Sequence, residues 1–348
     1  MAPCASSVSS VPEQARPPTI VDVARRAGVS KSVVSRVLSG YGVVATGTAA
    51  RVRAAGEELG YVTNAMARGM AAHRTRTIGA FVRDASHPFY GHLLSAMQQR
   101  AAALGYRVVT TTGAAGSFAA ADERRALETL VGLQVEGLIV CTALLPIEDV
   151  LPFAKRVPTV IAGRPATEPT VSTVYVDEVS GGRGLADHVW SLGHRRVAVV
   201  RIDRAVSMTQ HPRGAEMSRR LRELGAEVED LPHARVHDRP RDVVRDLVDR
   251  GVTALMTPTD HYAVEVLEAM ADAGLRAPED LSVTGYDGLF PLNTPLLGLT
   301  TWVQPLDVVG AEAVSTLVAR LDGEHDGRSD IPVRGYLVPG RTAGTPRA

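Results

Sequence analysis

The stretch Thr19-Ile-Val-Asp-Val-Ala-Arg-Arg-Ala-Gly-Val-Ser-Lys-Ser-Val-Val-Ser-Arg-Val-Leu-Ser-Gly40 decides how the rest of the chain is read. Thr19 and Asp22 have the spacing of a capping box variant, a hydroxyl before the first turn and a carboxylate at its third residue. Val23, Ala24 and Ala27 then share one face, Gly28 breaks the helix, and Ser30 can cap the next one. The expected layout is a helix over 20–27, a turn at Gly28-Val29 and a second helix from Lys31 to Leu38, a helix-turn-helix.

At about 100° per residue, Lys31, Ser32, Ser35 and Arg36 fall on one side of the second helix, and Val33, Val34, Val37 and Leu38 on the other. A helix that enters the major groove needs this division, with its back anchored in a core and its front donating to phosphates and base edges. An ordinary amphipathic surface helix divides in the same way. What favours the groove here is a front without acids and the tight turn that precedes it. A third helix is expected from Thr48 to Leu59. In Gly60–Ala71, Asn64 can cap a turn or two. A helix that short, with Gly69 inside it, is not stable alone in water. It is either a flexible linker or a segment that folds when something holds it.

Charge points the same way as the motif. The 348 residues are formally neutral, but Met1–Arg76 holds ten Arg and Lys against four Asp and Glu. The remainder, with 28 basic and 34 acidic residues, is acidic by six. A basic head on an acidic body suits a DNA reader with a separate sensing domain, although a solvated surface of uneven charge has the same arithmetic. Apolar residues make up 45% and charged residues 22%, enough core for two or three domains. No apolar run approaches the ~20 residues of a membrane span. Residues 1–18 lack the pattern of a secretory signal. Cys4 and Cys141, far apart, exclude a disulfide framework and a cysteine metal site. Cytoplasmic residence, at the nucleoid, is the expectation.

After Thr77 apolar runs such as Ile78–Val82, Gly137–Cys141, Thr159–Ala162, Val197–Ile202 and Leu281–Tyr286 alternate with longer amphipathic stretches. This is the βαβ pattern of a parallel sheet covered by helices on both faces. About 270 residues of it exceed one ordinary sheet, so two doubly wound lobes are expected.

With these residues in view, the chain resembles the lactose-repressor/galactose-repressor (LacI/GalR) family of bacterial transcription regulators. The resemblance runs through Thr19–Gly40, Gly60-Tyr61 and Asn64. It resumes at Ser191-Leu-Gly-His-Arg-Arg-Val-Ala198, at Ala273-Gly-Leu-Arg-Ala-Pro-Glu-Asp-Leu-Ser-Val-Thr-Gly-Tyr-Asp287 and at Leu299-Thr-Thr301. It implies an all-α head that reads an operator half-site, a hinge helix that orders on DNA, and an α/β core like that of periplasmic sugar-binding proteins, acting as a homodimer or a higher assembly. The corresponding domains are a disordered tail at 1–17, the head at 18–62, the hinge at 63–76 and the core at 77–348. Within the core, lobe 1 takes about 77–163 and 303–330, and lobe 2 about 164–302 and 331–348.

Carried over by position, Lys31 and Ser32 would select bases, Arg36 would supply a recurrent arginine contact, and Ser30 and Ser35 would meet phosphates. Asn64 and Met70 would serve the hinge, Met70 standing where relatives wedge a leucine into the minor groove. The hinge departs from the family at Thr63, where Pro is usual, and at Gly69, where a better helix former is usual. For the cleft between the lobes, the resemblance implies that Phe89, Arg213 and Asp287 contact a small effector, with Asp260 as a further candidate after its strand. His87 replaces a usual Asn, and Glu216-Met217 replaces a usual Gly-Phe. An arginine fork and a carboxylate are tools for holding a sugar or related polyol. Each residue also has a plainer reading: Arg213 solvated, Asp287 capping a turn, Phe89 in the core.

Asp177–Gly184 lacks dinucleotide-binding spacing and reads as a helix start. There is no nucleophile elbow, phosphate-binding loop or zinc-protease motif, and the histidines have no ligand spacing. No catalytic residue, metal or cofactor is expected. The expectation is therefore a repressor that binds palindromic operator DNA and responds to an effector. The alternatives are an activator or effector-independent regulator, or a Rossmann-like binding protein or enzyme with an incidental basic head.

Overall fold

The computed structural model describes residues 16–39, 43–61, 74–113, 119–324 and 327–347. They divide into two compact units, Met1–Thr75 and Arg76–Ala348.

The first unit contains α1 (Ile20–Ala27), α2 (Lys31–Ser39) and α3 (Thr46–Glu58). The Thr19 backbone N–H and hydroxyl both donate to Asp22 Oδ2, at 2.9 and 2.7 Å, which fastens the first turn of α1. Gly28 ends that helix with φ 67°, a left-handed conformation that glycine adopts without a Cβ clash. Ser30 Oγ accepts from the Val33 N–H at 3.4 Å and starts α2. The helix α3 begins two residues before the expected Thr48, because the Thr48 and Ala49 N–H groups both donate to the Ala45 carbonyl. Val23, Ala24, Ala27, Val34, Val52 and Ala55 form a small core drawn from all three helices. Most of the 1–17 tail lies outside the described residues, as do residue 62 and residues 63–73 of the hinge, with Thr63, Asn64, Gly69 and Met70 among them.

The second unit opens with β1 (Thr77–Val82), α4 (Pro88–Ala103), β2 (Arg107–Thr112), α5 (Ala120–Gly132), β3 (Gly137–Cys141), α6 (Ile147–Ala154), β4 (Thr159–Ala162) and β5 (Ser172–Val176). Then follow α7 (Glu178–Ser191), β6 (Arg196–Arg201), α8 (Gln210–Leu224), β7 (Glu227–Pro232), α9 (His233–Asp238), α10 (Pro240–Asp249), β8 (Ala254–Met256), α11 (Asp260–Asp272), β9 (Ser282–Asp287) and β10 (Thr300–Val303). The chain closes with α12 (Leu306–Leu321), β11 (Asp330–Val333) and β12 (Tyr336–Val338).

These strands make two six-stranded sheets, in the orders β11-β5-β4-β3-β1-β2 and β12-β10-β9-β8-β6-β7. Every pairing is parallel except β10 with β12. Helices cover both faces, so central strands such as Gly137–Cys141 are apolar and buried throughout. The helix α12 returns to the first sheet and packs on α4. Gly310 permits this, since a Cβ there would lie 2.7 Å from the Leu93 carbonyl.

The chain crosses between the lobes three times: at Asp177, at Gln304-Pro305 and at Arg334-Gly335. The lobe boundaries expected at 163/164 and 330/331 are therefore corrected. Gly163, at φ 98°, turns the chain back so that its N–H bonds the Val174 carbonyl. Thus β5 joins β4 in the first sheet, and β11 in turn pairs with β5. The structure also contains β7, α8, β10 and α12, which the periodicity does not announce.

Candidate functional site

In the head, Ser30, Lys31, Ser32 and Arg36 are exposed and Ser35 is half-buried, while Val34 on the opposite side is fully buried. Arg36 Nε donates to the Ser32 carbonyl at 3.4 Å, which lays the guanidinium along the outer face of α2. No acidic residue falls within α2. Arg25 and Arg26 lie in the last turn of α1; Arg26 is neutralised by Glu58 at 2.7 Å.

In the core, the C-terminal ends of β1, β3, β6, β8 and β9 point to the space between the sheets, where open α/β folds take ligands. A cavity of about 240 Å³ lies there, lined by Arg83, His87, Phe89 and Tyr90 from one lobe and by Arg213 and Asp287 from the other. The first turn of α4 supplies the aromatic wall. His87 Nδ1 accepts from the Phe89 N–H at 3.2 Å and caps the helix, which turns Phe89 and Tyr90 into an edge-to-face pair 5.2 Å apart. The aromatic corner exists despite the chain's 4% aromatic content.

The opposite wall is electrostatic. Arg213, 3% exposed, donates through Nε and Nη2 to the two oxygens of Glu178, at 2.8 and 2.6 Å. Its Nη1 reaches the Pro258 carbonyl at 2.9 Å and Asp287 Oδ1 at 3.4 Å, and its plane lies 3.9 Å over the Tyr286 ring. Burial is the largest single influence and works against the charge on Arg213, but Glu178, Tyr286 and Asp287 together outweigh it and raise the pKa. Asp287 is buried as well. Burial pushes its carboxyl up to about 8, against the pull of Arg213. It sits at φ 119°, a conformation that costs of order 1–3 kcal/mol for a residue other than glycine. Gln304 holds it there by donating Nε2 to Asp287 Oδ1 at 2.6 Å and its backbone N–H to the Asp287 carbonyl at 3.0 Å. The cleft carboxylate is thereby fastened to a chain crossover.

Of the residues expected in the cleft, Phe89, Arg213 and Asp287 line one cavity. Asp260 does not and is corrected. It is fully buried, its Oδ1 accepting from the Thr301 hydroxyl at 2.5 Å and its Oδ2 from the Leu289 N–H at 2.8 Å. It braces the loop after Asp287 instead of facing a ligand. Glu178, Gln304 and Tyr90 belong to the site although sequence reasoning passed over them. Asp177–Gly184 is indeed a helix start, with Asp177 accepting from the Ser180 N–H at 3.0 Å. Glu178 nevertheless also faces inward to Arg213. Gly182 allows that approach, since a Cβ there would lie 2.5 Å from the Arg213 carbonyl.

A three-helix head of this kind and a two-lobed α/β core define a class of transcription regulators. Residues 19–64 match the profile of bacterial regulatory proteins of the lacI family, and residues 186–343 match the periplasmic binding protein-like domain. The transcriptional regulator CelR of Thermobifida fusca is 30% identical over 331 residues, covering 90% of this chain and 94% of CelR. Catabolite control protein A of Priestia megaterium is 29% identical over 314 residues, covering 88% of this chain and 93% of the relative. A CelR–cellobiose complex superposes with a TM-score of 0.66 at 28% identity, covering 93% of this chain and 99% of that one. The lac repressor dimer bound to operator and an anti-inducer shares the fold with a TM-score of 0.78 at 24% identity, covering 94% of this chain and all of that one. The chain belongs to the lacI family and is a transcriptional regulator, not an enzyme. Among the described residues, no helix is long and apolar enough to cross a membrane.

Proposed function

We propose that this regulator is a repressor acting at the nucleoid, in the cytoplasm, whose grip on a palindromic operator is set by a polyhydroxylated effector, a sugar or close relative, held between the lobes. The observation that carries the reading is the cleft wall formed by Arg213 and Asp287, facing Phe89 and Tyr90. A carboxyl group and a guanidinium engage hydroxyls in pairs, while aromatic faces cover the C–H side of a ring. The cellobiose complex of CelR supports this class of ligand. In the head, Lys31 and Ser32 are assigned to base edges, Arg36 to a further arginine contact, and Ser30 and Ser35 to phosphates. Asn64 and Met70 are assigned to operator contacts. The chain acts as a homodimer so that two heads meet two half-sites. Exposed Phe290, Leu296 and Leu297, gathered in one loop, offer apolar surface for pairing.

Binding of the full chain to palindromic duplexes is to be titrated with and without cellobiose, ribose and nucleosides. At least one ligand is expected to change operator affinity five-fold or more. Operator binding that none of the ligands alters would refute the effector assignment, and no preference for any palindrome over random duplex would refute the head assignment.

A further inference from the structure

The start of α8 and the two residues before it present two sides. Thr209, Gln210 and Arg213 face the cleft already described. Met208, His211 and Pro212 instead line a separate cavity of about 180 Å³, closed by Arg164, Pro165 and Arg204. Three nitrogen-bearing side chains surround it, and no acid does.

Arg164 is the telling member. It is only 5% exposed, and its Nε and Nη2 donate to the Thr142 and Leu145 carbonyls at 3.2 and 2.7 Å. Its Nη1 has only the Pro165 carbonyl, at 3.5 Å. None of the ion pairs among the described residues includes Arg164, and Glu123 and Glu148 act on it only from a distance. A buried guanidinium without a carboxylate is costly unless an anion completes it. Arg204 is exposed and makes no hydrogen bond or ion pair among the described residues. His211 Nδ1 lies 3.0 Å from the Ile202 carbonyl, so Nδ1 carries the hydrogen and the lone pair of Nε2 remains open. The amino end of the fifteen-residue α8 adds its positive pole. The cavity adjoins a groove of about 630 Å³ that shares Arg164 and Arg204 and adds Arg328, Glu148 and Asp330. A ligand larger than the anion itself therefore has room.

We propose that this cavity binds a phosphate group, free or carried as a monoester on a small metabolite. Arg164 and Arg204 would grip its oxygens, and a protonated phosphate oxygen would donate to His211 Nε2. Sulfate and carboxylates lack that proton at neutral pH, inorganic phosphate keeps one, and a monoester, with a second pKa of about 6, takes it up on binding as the monoanion. Arg164 follows β4 in the first lobe, and Arg204 and His211 belong to the second. The anion therefore bridges the lobes beside the bond from the Met208 N–H to the Ala143 carbonyl, 2.8 Å long. The site is separate from the effector cleft and shares none of its lining residues.

The test is calorimetry on the DNA-free full chain with inorganic phosphate, glycerol 3-phosphate and sulfate, at ionic strength held constant with chloride. One phosphate or ester per chain is expected to bind with a millimolar or tighter Kd, at least five-fold more tightly than sulfate. Arg204→Glu is expected to abolish binding and His211→Gln to remove the preference over sulfate, both without changing the melting temperature in chloride. A tighter ester than free phosphate identifies a metabolite as the ligand, and equal affinities identify the free ion. Absence of binding, binding that survives Arg204→Glu, or binding lost instead in Lys31→Ala would each overturn the proposal. Equal affinity for sulfate with an indifferent His211→Gln would overturn the phosphate assignment.

Discussion

Arg213 is held by two carboxyl groups of unequal grip: Glu178 takes two of its nitrogens at 2.8 and 2.6 Å, whereas Asp287 reaches one at 3.4 Å. The tight partner fixes the guanidinium, and the loose one remains at the cavity wall with bonding capacity to spare.

Glu178→Gln should therefore release Arg213 without touching the ligand directly. Breaking a buried pair from one side costs about 3–5 kcal/mol, lessened here because Gln still accepts one hydrogen bond. We expect a clear loss of stability in urea melts and at least a ten-fold weaker effector response, with operator affinity in the absence of effector within two-fold of wild type. A variant as stable as wild type would show that another contact holds Arg213.

On the head, Arg36→Ala removes an exposed side chain and leaves Val34 and the helical core intact. An arginine contact with a base edge is worth about 1–3 kcal/mol, so operator affinity should fall roughly ten- to a hundred-fold in a fluorescence anisotropy titration. The melting curve should not move. Unchanged affinity would take Arg36 out of the interface.

Stability should depend on pH through Asp260. Burial raises its carboxyl from 3.8 to about 6, against the hydrogen bonds from Thr301 and Leu289. The folded protein thus holds a proton that the unfolded chain has released. The associated stability is fully present below about pH 4 and is lost as the pH rises through 6. Measured relative to Asp260→Asn, wild type should lose stability between pH 4 and 6. A relative gain over that window would reverse the assignment.

Gly310→Ala should drive α12 away from α4, because its Cβ would lie 2.7 Å from the Leu93 carbonyl and 2.8 Å from the Ala96 Cβ. Overpacking of this kind costs about 1–3 kcal/mol. The loss is expected in the core's thermal transition, and a neutral substitution would mean that the helices part without penalty.

The head was legible because its signals are local: the Thr19–Asp22 cap, Gly28, Ser30 and a helical period that splits valines from polar residues. Strands β3 and β4 were equally plain, since burial on both faces leaves an unbroken apolar run. The strand β7 was not, because Glu227-Val-Glu-Asp-Leu-Pro232 is an edge strand whose charges are answered from elsewhere. Asp230, for example, meets Arg201 at 3.0 Å and Arg222 at 2.8 Å. The helix α8 hid for a similar reason, since its inward face carries Arg213, Gly214 and Ser218 in addition to Met217 and Leu221. In the site, Arg213 and Asp287 could be placed through the family pattern. The Glu178–Arg213 pair joins residues 35 apart, and only the completed fold brings them together. Asp260 misled because a carboxylate just beyond a strand end looks the same in sequence whether it turns to a ligand or inward to Thr301.

The third crossover leaves each sheet with one border strand drawn from the last stretch of chain, β11 for one and β12 for the other. Neither lobe is a contiguous fragment that could be excised or grafted whole. During synthesis, both sheets await the same final segment from the ribosome, so a frameshift upstream of Asp330 would injure the two lobes together.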